Sequence, residues 1–193
     1  MSLLHEQLAG LEELITTGYV LAIDPSSGSA NSQPGYAIYR GGVLGDYGII
    51  KLTPRTKLAS RLFYLGESIR NDFQKPDILV VERINSVFGN TKGGNMGFMA
   101  KQMASLQRAV GVVQSCFEVP VIEVPPVTWR KYVKEDYKKT DEHDAVMLGF
   151  TAIIEAAQMA GLSTNPKLPW ETNYVPHSGQ KLKGKRKATQ NKR

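Results

Sequence analysis

Two apolar runs in this sequence each stop on an acid: Leu21-Ala22-Ile23 at Asp24, and Ile78-Leu79-Val80-Val81 at Glu82. Two more acids, Asp141 and Asp144, open the last apolar helical stretch. Carboxylates held close at the ends of buried elements repel one another and raise one another's pKa. A hard divalent cation takes oxygen ligands of this kind and offsets that cost. The four acids therefore point to magnesium-dependent hydrolysis of phosphodiesters. Each has a plainer explanation on its own. Asp24 before Pro25 suits a turn, and Asp141 and Asp144 suit the start of a helix, where acids favour the dipole. Glu82 is harder to dismiss, because glutamate is a poor strand residue and is rarely buried unpaired. At i, i+3, Asp141 and Asp144 share one helix face. His143 lies about 100° off that face and reads as a surface residue.

The elements that must position these acids follow from periodicity. Leu3, Leu4, Gln7, Leu8, Leu11, Leu14 and Ile15 lie near helical spacing and predict a short amphipathic helix. Strands are predicted over 19–24, 35–40, 43–52, 77–82 and 120–124. Gly41-Gly42 supplies the turn between the second and third. Helices are predicted over 56–73, from about 95 to 117, from near Pro126, and over 141–160. Strands one to three form an antiparallel meander, so the third is parallel to the first. A helical crossover then makes the fourth parallel to the third. Asp24 and Glu82 thus emerge at the same sheet edge, the carboxyl ends of parallel strands, where sites form in open sheets. Adjacency of strands one and four does not follow from periodicity.

The chain has 193 residues, of which 41% are hydrophobic, enough for one cored domain and too many for a disordered chain. Its one cysteine, Cys116, cannot form an internal disulfide and reads as a packed thiol. No apolar run reaches membrane-spanning length and no secretory signal opens the sequence, so a cytoplasmic location is expected. The net charge of +6 is unevenly placed. Residues 176–193 carry seven basic residues and no acid, leaving the rest at −1. A cationic tail on a near-neutral body suits a polyanion, most often nucleic acid.

In these residues the chain resembles the RuvC-type Holliday junction resolvases of the RNase H-like superfamily, with the phage branch nearest. The family's first motif, an apolar strand ending in Asp-Pro-[Gly/Ser]-Ser and then Gly-Tyr, is matched by Ile23-Asp24-Pro25-Ser26-Ser27 and Gly35-Tyr36. Its second, a Pro-Asp start and a strand ending in glutamate, is matched by 76–82. Leu106-Gln107-Arg108-Ala109-Val110-Gly111, Val119-Pro120-Val121-Ile122-Glu123 and Asp141-Glu142-His143-Asp144-Ala145 match three further motifs in the family's order. The likeness spans about residues 19–157. The loops at 26–34 and after Glu82 are longer than usual, which bears on substrate choice.

The resemblance implies an α/β RNase H-like fold: a five-stranded mixed sheet, antiparallel meander plus parallel strands, flanked by helices. It divides the chain into an N-terminal helical extension (1–18), a nuclease domain (19–160), a C-terminal extension (161–175) and a basic tail read as disordered (176–193). It implies a structure-selective endodeoxyribonuclease that resolves four-way junctions and leaves 5′-phosphates, using two Mg²⁺ ions, with Mn²⁺ a substitute, held by Asp24, Glu82, Asp141 and Asp144. Glu123 matches a position that is not catalytic. The two-fold symmetry of a junction calls for a homodimer; the helix of Met99, Met103, Leu106, Val110 and Val113 is the candidate interface. DNA-contact candidates are Phe88, which could wedge at a branch point, and Lys92, Lys138, Lys139, Lys183, Lys185, Arg186 and Lys187. The setting is a bacterial or phage-infected cytoplasm. Rival readings are an RNase H-like nuclease for RNA–DNA hybrids or flaps, a fragment of an actin-like ATPase, and a catalytically silent DNA-binding protein. The ATPase is disfavoured because the chain is too short for two lobes.

Overall fold

The computed structural model describes residues 2–26, 33–52, 57–84, 96–133, 137 and 140–162, with backbone alone for 96–99. The elements, in order, are α1 (Leu3–Leu8), α2 (Glu12–Thr17), β1 (Tyr19–Asp24), β2 (Gly35–Arg40), β3 (Val43–Ile49), α3 (Leu58–Asp72), β4 (Ile78–Glu82), α4 (Met96–Gln114), β5 (Val121–Val124), α5 (Pro126–Arg130) and α6 (Asp141–Met159). The strands form one sheet in the order β3-β2-β1-β4-β5. The β1–β2 and β2–β3 pairs are antiparallel, and β4 lies parallel to both β1 and β5. The expected meander and the parallel strands are both present. The open question of adjacency is answered: β1 and β4 are hydrogen-bonded neighbours.

Strand alternation divides the sheet into two faces. Val20, Ala22, Ile78, Val80, Ile122 and Val124 join α6 in one core cluster. Leu21, Ile23, Leu79 and Val81 join α3 and α4 in the other. Asp24 continues the Val20, Ala22 series, and Glu82 continues Ile78, Val80. Both strand-end acids therefore belong to the α6 face. β1 and β4 are in register at Ile23↔Val81, so Asp24 and Glu82 are one step further along the same pairing.

Helix α6 is buried on nearly every side from Ala145 to Ala157, as befits a helix that is apolar all round. Two close approaches fix its height on the sheet. A Cβ at Gly149 would lie 2.3 Å from the Tyr39 ring and 3.1 Å from Ala22 Cβ. The buried Tyr39 hydroxyl donates to the Val146 carbonyl at 2.6 Å. On its outer side α6 is covered by α1, α2 and α5.

The predicted single N-terminal helix is two. Gly10, at φ +81°, breaks the run between α1 and α2, a conformation that L side chains resist. Nor is the segment peripheral in packing: Leu4, Leu8 and Ile15 belong to the same cluster as α6. Gln7 Oε1 accepts from the Glu123 backbone N–H at 2.7 Å, occupying a donor on edge strand β5. The candidate interface helix is α4, and its five named residues are placed differently. Val110 and Val113 of α4 are buried against α3 and the sheet; Met103 and Leu106 are half-buried, and the Met99 side chain lies outside the described residues. The apolar spacing that nominated this face is the spacing of its core side; the outward side carries Ala100, Ala104, Gly111 and Ser115.

Candidate active site

Three elements bring the predicted acids together. Asp24 and Glu82 come from the carboxyl ends of the adjacent parallel strands β1 and β4. Asp141 and Asp144 come from the first turn of α6. The approach of α6 to the strand ends is set by Gly35, which pairs with Asp24 across β1–β2. A Cβ at Gly35 would fall 1.9 Å from the Asp141 carbonyl oxygen. With no side chain there, the helix N-terminus rests directly on the strand.

The charges of these acids act on one another. Burial, then Glu82, Asp144 and Asp141 in that order, push the Asp24 carboxyl well above the ordinary range. Burial and Glu82 push Asp144 up to about 6, while the Arg130 guanidinium opposes the shift. Asp144 Oδ1 is buried and has no hydrogen-bond partner. An orphaned carboxylate oxygen among like charges is costly, and an all-carboxylate donor set suits a hard dication. In kind, the four residues fit Mg²⁺. Their side chains are not gathered around one: among the described residues no three Asp, Glu, His or Cys side chains are placed to hold an ion together. Two of the four are turned to protein donors instead. The Trp129 indole N–H donates to Glu82 Oε1 at 3.0 Å, and the Gln33 backbone N–H donates to Asp141 Oδ2 at 2.9 Å.

Sequence reasoning missed several neighbours. Trp129 is one of them. It is 4% exposed, and its ring leaves one polar atom that must find an acceptor; a tryptophan shortly after a strand next to β4 was the available signal. His143, expected on the surface, is half-buried between the rings of Tyr47 and Tyr137, with centroids at 5.9 and 6.4 Å. Glu155 was overlooked. It sits 4% exposed in the apolar stretch of α6, and accepts from Lys131 Nζ at 2.5 Å and the Tyr132 hydroxyl at 2.8 Å, with His5 Nε2 also at 2.8 Å. An acid in so apolar a helix requires partners, which was signal enough. Glu123 is structural: Gln114 Nε2 donates to it at 2.8 Å. Cys116 is a buried thiol, raised by burial, as expected.

The DNA-contact candidates Phe88, Lys92, Lys138, Lys139, Lys183, Lys185, Arg186 and Lys187 all lie outside the described residues. A pocket of about 450 Å³ opens beside Tyr36, Asp46, Lys51, Asp72 and Phe73, against β2, β3 and α3, away from the acids' face. No helix among the described residues is long and apolar enough to cross a membrane.

No family model and no curated protein sequence matches the chain. Solved structures do. The RuvC of T. thermophilus in complex with a Holliday junction substrate superposes with a TM-score of 0.53 at 16% identity, covering 74% of this chain and 96% of that one. A second Thermus thermophilus RuvC structure gives 0.50 at 15%, with the same coverage. The yeast mitochondrial Holliday junction resolvase Ydc2 gives 0.52 at 12% identity, covering 82% and 88%. The fold is that of the RuvC-type resolvases, an RNase H-like fold, as the sequence motifs implied.

Proposed function

We propose that this protein is a Mg²⁺-dependent endonuclease that resolves four-way DNA junctions in the cytoplasm, with Asp24, Glu82, Asp141 and Asp144 as its metal-binding acids. One observation carries the reading: on a fold shared with resolvases, Asp24 at the end of β1 feels the charges of Glu82 at the end of β4 and of Asp141 and Asp144 in the first turn of α6. Bound there, a pair of Mg²⁺ ions would supply an activated water and neutralise charge at the leaving 3′ oxygen. The chain's own contribution is to hold the acids. Adjacent strands fix Asp24 beside Glu82, and the bare Gly35 backbone admits the first turn of α6. The charge of Arg130 draws Asp144 toward its anionic form. A junction has two symmetric scissile sites, so two copies of the chain act together, and the basic tail adds phosphate contacts.

The test is nicking of a synthetic four-way junction, alongside linear duplex and RNA–DNA hybrid of the same sequence, with and without Mg²⁺. Paired, Mg²⁺-dependent nicks confined to the junction support the proposal. Cleavage of the hybrid alone would move the assignment to another RNase H-like nuclease, and cleavage of nothing would leave a DNA-binding protein.

A further inference from the structure

Two residues of the short helix α5 bear on the acid cluster. Pro126 starts this helix at a position where its missing N–H costs nothing. Trp129 follows, with its indole N–H on Glu82. Arg130 comes next, its charge acting on Asp144 and its guanidinium 5.3 Å from the Trp129 ring centroid. Lys131 and Tyr132, just beyond the helix, both bond to Glu155, buried in α6. This run of four residues thus ties the last residue of β4 to both ends of the helix that carries Asp141 and Asp144.

Glu82 sits among like charges: the β1–β4 register puts it beside Asp24, one step beyond the Ile23↔Val81 pair. Repulsion of that kind drives a flexible side chain outward toward water. A neutral donor anchored in the core opposes that motion without adding a positive charge that would compete with a cation. The Trp129 indole meets this description, since it is buried and has a single N–H in a fixed direction. We propose that Trp129 is a positioning residue for Glu82. Its N–H commits one carboxylate oxygen to the protein, so that Glu82 meets an incoming cation with its other oxygen and in a set orientation. The inference rests on the nuclease reading for its purpose. Its physical content, a preorganised ligand, is measurable without DNA.

The experiment has two arms. In metal-free protein labelled with ¹⁵N, the Trp129 indole N–H gives one of two indole cross-peaks, the other being Trp170. Substituting Glu82→Ala is expected to shift the Trp129 peak and speed its hydrogen exchange, the peak being assigned by its loss in Trp129→Phe. An unmoved Trp129 peak overturns the proposal, whatever the enzyme cleaves. In the second arm, Trp129→Phe keeps the ring and deletes the donor. Mn²⁺ binding to the protein alone, followed by electron paramagnetic resonance, is expected to weaken about 10–100-fold, the usual effect of losing a partner behind a metal ligand. An affinity within about twofold of wild type overturns the idea. Should Trp129→Phe fail to fold, the first arm still decides, because two unmoved peaks overturn the proposal without an assignment. If both arms succeed but no junction is cut, the positioning role stands and the resolvase reading fails.

Discussion

Gly35 and Asp141 touch backbone to backbone: a methyl group on Gly35 would lie 1.9 Å from the Asp141 carbonyl oxygen and 2.4 Å from its carbonyl carbon. Asp24 is the register partner of Gly35, so this contact sets how near the helix acids come to the strand acids. The atoms in the way are main chain and cannot rotate aside.

Gly35→Ala therefore has to displace the N-terminus of α6. It is expected to cost about 1–3 kcal/mol of stability, as overpacking does, and to weaken Mn²⁺ binding and nicking beyond what that loss explains. Urea unfolding and metal titration check both. A Gly35→Ala protein that unfolds and binds metal like wild type would mean that this contact does not set the site.

Asp144 predicts a pH dependence. A carboxyl whose folded pKa lies above its unfolded value favours folding while protonated. Its contribution is complete below about pH 4 and is lost as the pH rises through about 6. Metal-free protein should lose stability over that interval. Asp144→Asn, which cannot ionise, should be more stable than wild type at pH 7.5 by up to about 3 kcal/mol. Excess Mg²⁺ should narrow the gap by stabilising wild type alone. A variant less stable than metal-free wild type at pH 7.5 would contradict the crowding of charge at this site.

Glu155 predicts the opposite sign. Burial alone would raise its carboxyl, but hydrogen bonds from Lys131, His5 and Tyr132 outweigh burial and hold it below the usual range. Its contribution is present above the unfolded carboxyl pKa and is lost as pH falls through the lower, folded value. Glu155→Ala should cost about 1–3 kcal/mol at pH 7, because it removes a buried charged acceptor that takes part in three hydrogen bonds. Lys131→Ala should cost under about 1 kcal/mol, because that side chain is half exposed. Equal losses from the two would place the energy in the exposed ion pair instead.

The four candidate acids stand out in the sequence because each breaks a local rule: an acid closing an apolar strand, or two sharing one face of an otherwise apolar helix. Strand polarity was legible from chain order. The pairing of β1 with β4 was not, since a crossover specifies direction and leaves the neighbour open. The reading of α4 as an interface meets a related limit. Apolar spacing shows that a helix has a buried side and does not say whether a sheet or a second chain covers it. Trp129 and Gly35 act across the fold, on residues 47 and 106 positions away, and no local pattern carries such a contact. Gly10 shows the smaller error: apolar periodicity runs through it, and its positive φ stops the helix.

The basic tail predicts a salt effect. Each phosphate contact steepens the fall of log affinity with log salt by about 0.9 on duplex DNA. Seven basic residues after Pro176 set an upper bound of about 6 on that slope. Ending the chain at residue 175 should flatten the salt dependence of junction binding while leaving cleavage at saturating DNA unchanged. An unaltered slope would take the tail off the DNA.

Asp24 separates catalysis from binding. It is the acid whose carboxyl is raised by all three of the others, so it lies at the centre of their mutual repulsion. Asp24→Asn removes one negative charge from that centre and keeps the side chain's size. The folded state should survive, and metal-free stability at pH 7.5 should rise as it does for Asp144→Asn. Junction binding without metal should persist or tighten, because one fewer anion faces the phosphates. Cleavage should fall by about a thousandfold or more, since the loss strikes an interaction with the reacting centre and not the binding of the substrate. Gel-shift and nicking assays on the same preparation give both quantities. A variant that binds and cuts like wild type would remove Asp24 from the chemistry; one that loses binding and cutting together would make it a structural residue.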